Sequence, residues 1–354
     1  MIENVERETA PPMHPGVRVG KWSLVWRPWT VLATVLIAAL TFLVFCLSIG
    51  IGDFTISLPQ VIRTIFGQGE RVDTFVIMDL RMPRALVGLI VGVALGISGA
   101  LTQSIARNPL ASPDILGITS GAGAAAVFLV TASGGAAAAG IPEAALAGGL
   151  ATGLLVYFLA WRRGIDGFRL ILIGVSVSAV MQAVTTWLLV TADIRDVGRA
   201  QAWLVGSLDA RSWGEVWTAL WCTVVLVLVV LCVAFHLRPM HFGDDVAAGL
   251  GVRFSLVRAV LLLCAVLLAG VAVSAAGPVP FVALVAPQVT MRLLRSPVPP
   301  LVASGLLGAL LLIGSDLIAR AALPNSLPVG VVTAAIGGPF LVYLLVRTNL
   351  KRAN

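Results

Sequence analysis

The stretch that decides the fold reads RMPRALVGLIVGVALGISGALTQSIARNPLASPDILGITSGAGA and runs from Arg81 to Ala124. Its first half is an apolar run of about 20 residues, which is long enough to cross the hydrocarbon core of a bilayer as a helix. Within the run, glycine recurs every fourth residue at Gly88, Gly92 and Gly96. This spacing lets helix backbones approach closely in lipid. The run therefore predicts a transmembrane helix with a packing seam.

The second half of the stretch interrupts the helix. Proline follows Asn108 and Ser112, and proline removes a backbone N–H and restricts the residue before it, so a turn is expected there. A second interruption is expected in the run 279–291, which contains Pro280 and Pro287. Non-helical backbone at membrane depth is tolerated only where protein or a water-filled cavity surrounds it.

The remainder of the chain has the same apolar character. Of its 354 residues, 58% are hydrophobic and only 12% are charged, whereas a soluble protein carries about 25% charged residues. We predict an all-α, polytopic membrane protein of about ten spans. The expected spans are 29–49, 85–105, 116–131, 141–161, 170–191, 216–235, 257–276, 279–291, 301–320 and 328–346.

Charge sets the expected orientation and the division of the chain. Arginine is more frequent in the loops that face inward when both termini are cytoplasmic, as the positive-inside rule requires. Residues 1–28 are then a cytoplasmic extension, 29–346 the membrane domain and 347–354 a cytoplasmic tail. The first apolar run is expected to be a retained span. The net charge of +7 is explained by orientation, and no basic cluster interleaved with aromatics points to nucleic acid.

The sequence lacks the motifs of an enzyme. Lys21 and Lys351 are the only lysines, and neither follows the glycines of a nucleotide-binding loop. The four cysteines lie within apolar runs without metal-like spacing, and the three histidines form no ligand pair with them. We therefore expect no catalytic residues, no metal and no cofactor bound by this chain.

A polar segment between two spans reads GDDVAAGLGVRF, from Gly243 to Phe254. The carboxylates of Asp244 and Asp245 suit the first turn of a short helix, and glycines suit its end. A helix of about two turns is marginal alone, so a soluble partner such as an ATPase would brace it. An ordinary cytoplasmic loop explains the residues equally well.

The fifth span carries small and polar residues on one helical face. They are Gly174, Ser178, Gln182 and Thr185. In lipid such a face must turn toward protein or water. A pathway lining and a hydrogen-bonded helix interface both satisfy this requirement.

Two groups of charged residues lie at span ends. Arg81 and Arg84 have the simplest explanation as interfacial anchors, and Asp316 and Arg320, four residues apart, as an ion pair within one helix. The pairs Arg84-Ala85 and Arg258-Ala259 begin oppositely directed spans, as an inverted repeat would.

The chain resembles the FecCD-type permeases, the membrane subunits of ABC importers for ferric siderophores, haem and cobalamin. The resemblance rests on Arg81 to Ala124, the GDDVAAGLGV segment, GPVPFVALVAPQVTMRL from Gly277, SDLIAR from Ser315 and LPVGVVTAAIGGPFLVYLL from Leu327. The runs GIDGFRLILIGV from Gly164 and TTWLL from Thr185 resemble most the ferric-enterobactin branch of the family.

The resemblance implies roles for several sets of residues. It implies that the fifth span lines a pathway, and that Arg81, Arg84 and Arg320 receive acidic residues of an extracytoplasmic binding protein. It also implies a coupling helix that contacts an ATPase dimer, which carries ATP and Mg²⁺. That helix comprises Asp244, Asp245, Val246, Ala247, Leu250 and Gly251.

The function implied is import of a ferric siderophore by alternating access across a bacterial cytoplasmic or inner membrane. A related second permease completes the pathway in a heterodimer. Cobalamin or haem is the alternative substrate, and an ion-coupled secondary transporter is a remote alternative mechanism.

Overall fold

The structure is a computed structural model and describes residues 16–19, 22–25, 28–52, 56–133, 140–161, 167–234, 254–321 and 327–353. The first five helices along the chain are α1 (Pro28–Gly50), α2 (Leu58–Ile65), α3 (Arg71–Thr74), α4 (Met82–Ala106) and α5 (Ile118–Ala132). The later helices are α6 (Ile141–Ala160), α7 (Gly167–Thr191), α8 (Ile194–Leu204), α9 (Trp213–Ala234), α10 (Phe254–Ala276), α11 (Val282–Leu293), α12 (Leu301–Ala321) and α13 (Val329–Ala353).

The membrane part of the chain is helical, as predicted. Eight helices among the described residues are long and apolar enough to cross a membrane, and α5 and α11 are shorter apolar helices. The predicted class, an all-α polytopic membrane protein, is confirmed. The two short helices are those that follow the two interruptions expected from proline.

A small β-hairpin lies within the N-terminal extension, ahead of α1. Strand β1 (Gly16–Val19) pairs with β2 (Trp22–Val25) in antiparallel register, with Gly16 opposite Val25. The sequence analysis did not predict these strands.

The second span begins earlier than predicted. The expected start was residue 85, but α3 continues into α4 through a π-helical stretch, Phe75–Arg81. The apolar side chains of this stretch extend the span, which covers Arg71–Ala106. A π-helical segment commonly sits inside a longer helix, and here its wider turns lead into Pro83, which lacks a backbone N–H. Arg84 therefore lies inside a helix, whereas the sequence placed it just outside one.

Helix α4 is the centre of the bundle and is buried along most of its length against α10, α11 and α12. Gly92 and Gly96 of α4 face the backbone of α12. A Cβ on Gly92 would lie 2.5 Å from the Cα of Ala309, and a Cβ on Gly96 would lie 2.1 Å from the carbonyl oxygen of Ser304. Gly88 has more room, since a Cβ there would lie 3.1 Å from a methyl of Leu208. Gly92 and Gly96 thus stand where the two helix axes come closest.

We predict that Gly96→Ala destabilises the protein by about 1–3 kcal/mol, because the added methyl group overpacks the contact with α12. Gly314→Ala is the matched control, since a Cβ at Gly314 meets nothing within 4 Å. Alanine at that position should be neutral or slightly stabilising, because it favours the helix. Thermal unfolding in detergent micelles measures both. Equal melting temperatures for the two variants would contradict the close approach.

Candidate functional site

A large cavity opens beside α7 and has a volume of ≈ 910 Å³. Its lining comes from the segment after α4, the first turn of α5, the middle of α7, the segment before α11 and the start of α13. One wall is polar and carries the side chains of Ser112, Asp114, Thr119, Ser120, Ser178 and Gln182. The apolar part of the lining includes Pro278, Pro280, Phe281, Leu284, Val331, Ala334 and Leu341.

Both interruptions of the helical bundle reach this cavity. Residues 107–117 lead into the short helix α5, and residues 277–281 lead into the short helix α11. The residue before each short helix has left-handed backbone geometry, with φ +80° at Gly117 and +68° at Phe281. Non-helical backbone at membrane depth is tolerated where it lines a cavity or is enclosed by protein. The positions of the two interruptions satisfy that condition.

The 107–117 segment packs directly on α7. A Cβ on Gly174 would lie 2.4 Å from the carbonyl oxygen of Ile115, and a Cβ on Gly117 would lie 3.2 Å from the hydroxyl of Ser178. The segment therefore lies against the helix at two successive turns. Only a residue without a side chain fits at Gly174.

Of the four residues predicted to line a pathway, two line the cavity and two do not. Ser178 and Gln182 line the cavity. Gly174 is buried beneath the 107–117 segment, and the hydroxyl of Thr185 donates to the carbonyl oxygen of Met181 in its own helix at 2.9 Å. Neither Gly174 nor Thr185 belongs to the described lining. The cavity face of α7 is thus shorter than the spacing of polar residues suggested.

Asp114 is a cavity residue that was not singled out from the sequence. Its Oδ1 accepts a hydrogen bond from the hydroxyl of Thr119 at 2.5 Å. Both side chains belong to the polar wall. Asp114 could have been identified from the sequence, because it directly follows Pro113 within an interruption that must line a cavity or be enclosed by protein.

A second cluster lies at the start of α4, where the side chains of Arg84, Asp316, Arg320 and Asp209 meet; we call it the arginine cluster. Asp316 is its centre. Arg84 Nη2 donates to Asp316 Oδ1 at 2.7 Å, and Arg320 Nε donates to Asp316 Oδ2 at 3.1 Å. Arg84 also pairs with Asp209. The Asp316 side chain is only 2% exposed, whereas that of Asp209 is 55% exposed.

The three arginines predicted to dock a binding protein lie close together at this corner and have internal partners. Arg320 also donates to the hydroxyl of Ser48 at 2.8 Å. Arg81 is buried and donates to the carbonyl oxygen of Ile49 at 2.9 Å. The ion pair expected between Asp316 and Arg320 is present, but its bridge to Arg84 was not foreseen. These contacts hold the end of α1 against α4 and α12.

The proposed coupling residues lie outside the described part of the chain. Residues 235–253 are among those that the structure does not describe. The assignment of Asp244, Asp245, Val246, Ala247, Leu250 and Gly251 as a coupling helix stays a prediction.

Comparison with known families covers nearly all of the membrane part of the chain. The FecCD transport family matches residues 40–347. The chain belongs to the FecCD transport family. The resemblance found in the sequence is therefore confirmed.

Two relatives illustrate the likeness. The ferric enterobactin transport system permease protein FepG of Escherichia coli K12 is 39% identical over 302 residues, which are 85% of this chain and 91% of that protein. The iron(3+)-hydroxamate import system permease protein FhuG of Bacillus subtilis 168 is 36% identical over 327 residues, which are 89% of this chain and 97% of that protein.

A solved structure shares the fold. It is described as an inward-facing conformation of a putative metal-chelate type ABC transporter. The superposition has a TM-score of 0.78 at 26% identity and covers 89% of this chain and 98% of that one. The chain is thus a multi-pass membrane protein with the fold of an ABC transporter permease.

The arginine cluster leads to a prediction about stability. Asp316→Asn removes the buried carboxylate, which leaves the largely buried Arg320 without a counter-charge and Arg84 with only the exposed Asp209, and should cost about 3–5 kcal/mol. Asp209→Asn removes a largely exposed carboxylate from the same cluster and should cost no more than about 1 kcal/mol. Unfolding of the two variants in the same detergent measures the difference. Equal losses would show that Asp316 is not the centre of the cluster.

Proposed function

We propose that this chain is the membrane-spanning permease subunit of a binding-protein-dependent ABC importer that carries ferric siderophores into the cytoplasm. The observation that supports the proposal is the cavity, because it lies where both helix interruptions of a FecCD-family chain meet. The names of FepG and FhuG refer to ferric enterobactin transport and iron(3+)-hydroxamate import, which agree with a ferric chelate as cargo.

The cavity's lining suits passage better than tight binding. The lining combines small and hydroxyl side chains with a larger number of apolar side chains. Tight sites for charged ligands gather several charge-assisted hydrogen bonds, whereas Asp114 is the one charged side chain among the described residues of this lining. A weakly polar wall lets a bulky chelate move through once the pathway opens to the other side.

A second, related permease completes the pathway in this proposal. Helix α7 contributes Ser178 and Gln182 to the cavity, yet most of its surface is exposed in the single chain. Val180 and Trp187 on α7 are 58% and 64% exposed. A partner subunit that covers α7 would close the cavity on its open side. The partner is expected to be non-identical, as the resemblance to the ferric-enterobactin branch implies.

Energy for transport comes from a separate ATPase dimer in this proposal, because the chain has no nucleotide-binding loop of its own. Asp244, Asp245, Val246, Ala247, Leu250 and Gly251 contact that dimer. The chain lies in the bacterial cytoplasmic or inner membrane with both termini in the cytoplasm. ATP and Mg²⁺ bind to the partner subunits.

The arginine cluster lies on the extracytoplasmic side in this orientation. We propose that Arg81, Arg84 and Arg320 serve docking of the binding protein through the surface that they organise. Asp209 is the most exposed carboxylate of the cluster, so a cationic group on the binding protein suits it, while acidic groups reach Arg84 and Arg320 where these remain accessible. Charge pairing at such a surface speeds docking more than it adds affinity.

Haem and cobalamin are the alternative cargoes, and the chain shares its family with importers of both kinds by resemblance. The polar wall of the cavity would accept either. The companion binding protein selects the cargo, and the permease supplies the path.

Tryptophan at Gln182 should block uptake, because Gln182 lines the cavity and an indole there narrows the path. The control is Leu36→Trp on α1, where the side chain is 58% exposed on the outer surface of the bundle. Uptake of radioactive iron as ferric enterobactin, a ferric hydroxamate and ferric citrate measures the effect in cells that express the whole importer. Full uptake with Gln182→Trp would place the path elsewhere.

Reversing the charges of the coupling segment should uncouple transport from ATP hydrolysis. Asp244→Lys together with Asp245→Lys removes the acidic first turn and should abolish uptake while the chain still inserts into the membrane. The matched control is the conservative pair Asp244→Glu and Asp245→Glu, which keeps the charge. The ATPase activity of the purified complex and its stimulation by the loaded binding protein are the measurements. Unchanged stimulation in the lysine variant would overturn the coupling assignment.

A further inference from the structure

Phe281 occupies an unusual position at the edge of the cavity. Its backbone has φ +68° and ψ −23°, and its carbonyl oxygen accepts from the N–H groups of Leu284 and Val285 at the start of α11. A bulky residue in the left-handed region costs about 1–3 kcal/mol, and such strain persists only where the surrounding structure fixes it. The side chain of Phe281 is therefore held where a glycine would be easier to accommodate.

The backbone that leads into Phe281 is closely packed. A Cβ on Gly206 would lie 2.1 Å from the carbonyl oxygen of Pro278, and a Cβ on Gly330 would lie 3.4 Å from the same oxygen. The loop before α9 and the start of α13 therefore both lie against the 277–281 segment. This packing restricts the backbone that places Phe281.

The side chain of Phe281 rests directly on α13. A Cβ on Gly337 would lie 2.2 Å from the Cβ of Phe281 and 2.3 Å from its Cγ. The adjacent Gly338 meets nothing within 4 Å. The Phe281 side chain therefore packs on Gly337 and not on Gly338.

Phe281 also borders a second, small pocket with Leu311, Ser315 and Ile336, which has a volume of ≈ 10 Å³. This is about the volume that admits one water molecule, so a phenyl ring cannot move into it. Phe281 lines the large cavity as well, as do Gln182 and Ser178.

We propose that Phe281 sets the clearance of the cavity, meaning the free width beside its ring, and so determines the largest ferric chelate that can pass. The inference rests on the proposed transport function of the cavity. A wall formed by a strained, immobile aromatic residue has a defined position, whereas a wall of flexible side chains adapts to its contents. Gly337 acts as a positioning residue, because it allows Phe281 to lie against α13 and away from the path.

The clearance can be measured without a transported substrate. Gln182→Cys places a thiol on the cavity wall of α7, in a chain whose Cys46, Cys222, Cys232 and Cys264 are replaced by serine or alanine. Membranes that contain the whole importer are treated with a small methanethiosulfonate reagent and, in parallel, with a bulky biotin maleimide. The ratio of the two labelling rates reports clearance, and the small reagent controls for folding and access.

Phe281→Ala should raise the relative rate of the bulky reagent several-fold, since the ring no longer narrows the cavity. Gly337→Ala should lower it several-fold, because the new methyl group displaces the Phe281 side chain toward the cavity. Gly338→Ala, with open space around its Cβ, should leave the ratio unchanged. Phe281→Tyr keeps the ring and should also leave the ratio close to that of the parent.

Equal ratios for Gly337→Ala and Gly338→Ala would overturn the proposal, even if Phe281→Ala fails to fold. An unchanged ratio in a folded Phe281→Ala variant would overturn it as well. The labelling is independent of transport. If the labelling ratios change as expected while no ferric chelate is taken up, the proposed function fails and the assignment of Phe281 stands. If iron is taken up while the labelling ratios stay unchanged, the proposed function stands and the assignment of Phe281 fails.

Discussion

The structure depends on one constraint: a backbone N–H or C=O cannot be left unpaired in hydrocarbon. The helices are interrupted twice within the bundle, and local hydrogen bonds pair backbone groups at these interruptions. In the 107–117 segment, successive turns pair the N–H groups of Ala111, Ile115, Leu116 and Gly117 with carbonyl oxygens three residues back. Pro109 and Pro113 have no N–H to pair. Each break is thus stable enough to lie at membrane depth and to line a cavity.

The second break uses the same means with different partners. Pro278 and Pro280 carry no N–H, the N–H of Gly277 bonds to the carbonyl oxygen of Val273, and the N–H of Ser207 bonds to that of Ala276. The loop before α9 therefore supports the break before α11. Both breaks end in short helices, α5 and α11, whose first turns line the cavity.

Charged side chains at the span ends are subject to a related constraint. A guanidinium group at a span end must find a partner, and Arg84 and Arg320 share the carboxylate of Asp316. The arginines that the family resemblance assigns to docking thus also hold three helices together. A variant that reverses one of them would change the packing of the bundle as well as its surface, so the matched pair of Asp316 and Asp209 variants is needed to separate the two effects.

Much of the fold follows from the sequence. Apolar length predicts the spans, proline predicts both interruptions, and the glycine spacing from Gly88 marks the helix that packs most closely. Helical periodicity tells which residues share a face, but not what that face meets. For this reason Gly174 and Ser178 could not be separated, although one lies beneath the 107–117 segment and the other on the cavity.

Other features depend on long-range contacts that no local pattern reports. The π-helical entry into α4 places Arg81 and Arg84 within a helix, which hydropathy alone could not indicate. The left-handed Phe281 lies in a segment that packs against glycines far away in the sequence, since Gly206 and Gly330 meet Pro278 and Gly337 meets the Phe281 side chain. Asp114 reaches the cavity because the segment folds back against α7.

We propose that the cavity belongs to an ATP-driven path for ferric chelates. Accumulation of radioactive ferric enterobactin, and in parallel of a ferric hydroxamate, can be measured in proteoliposomes. The vesicles contain the chain with the subunits that co-purify with it and enclose ATP and Mg²⁺, and the loaded binding protein is added outside. We expect accumulation of at least one chelate that requires ATP and persists when ionophores collapse the ion gradients. Accumulation that follows an ion gradient without ATP would contradict this proposal and would direct attention to Asp114 as the residue coupled to the ion.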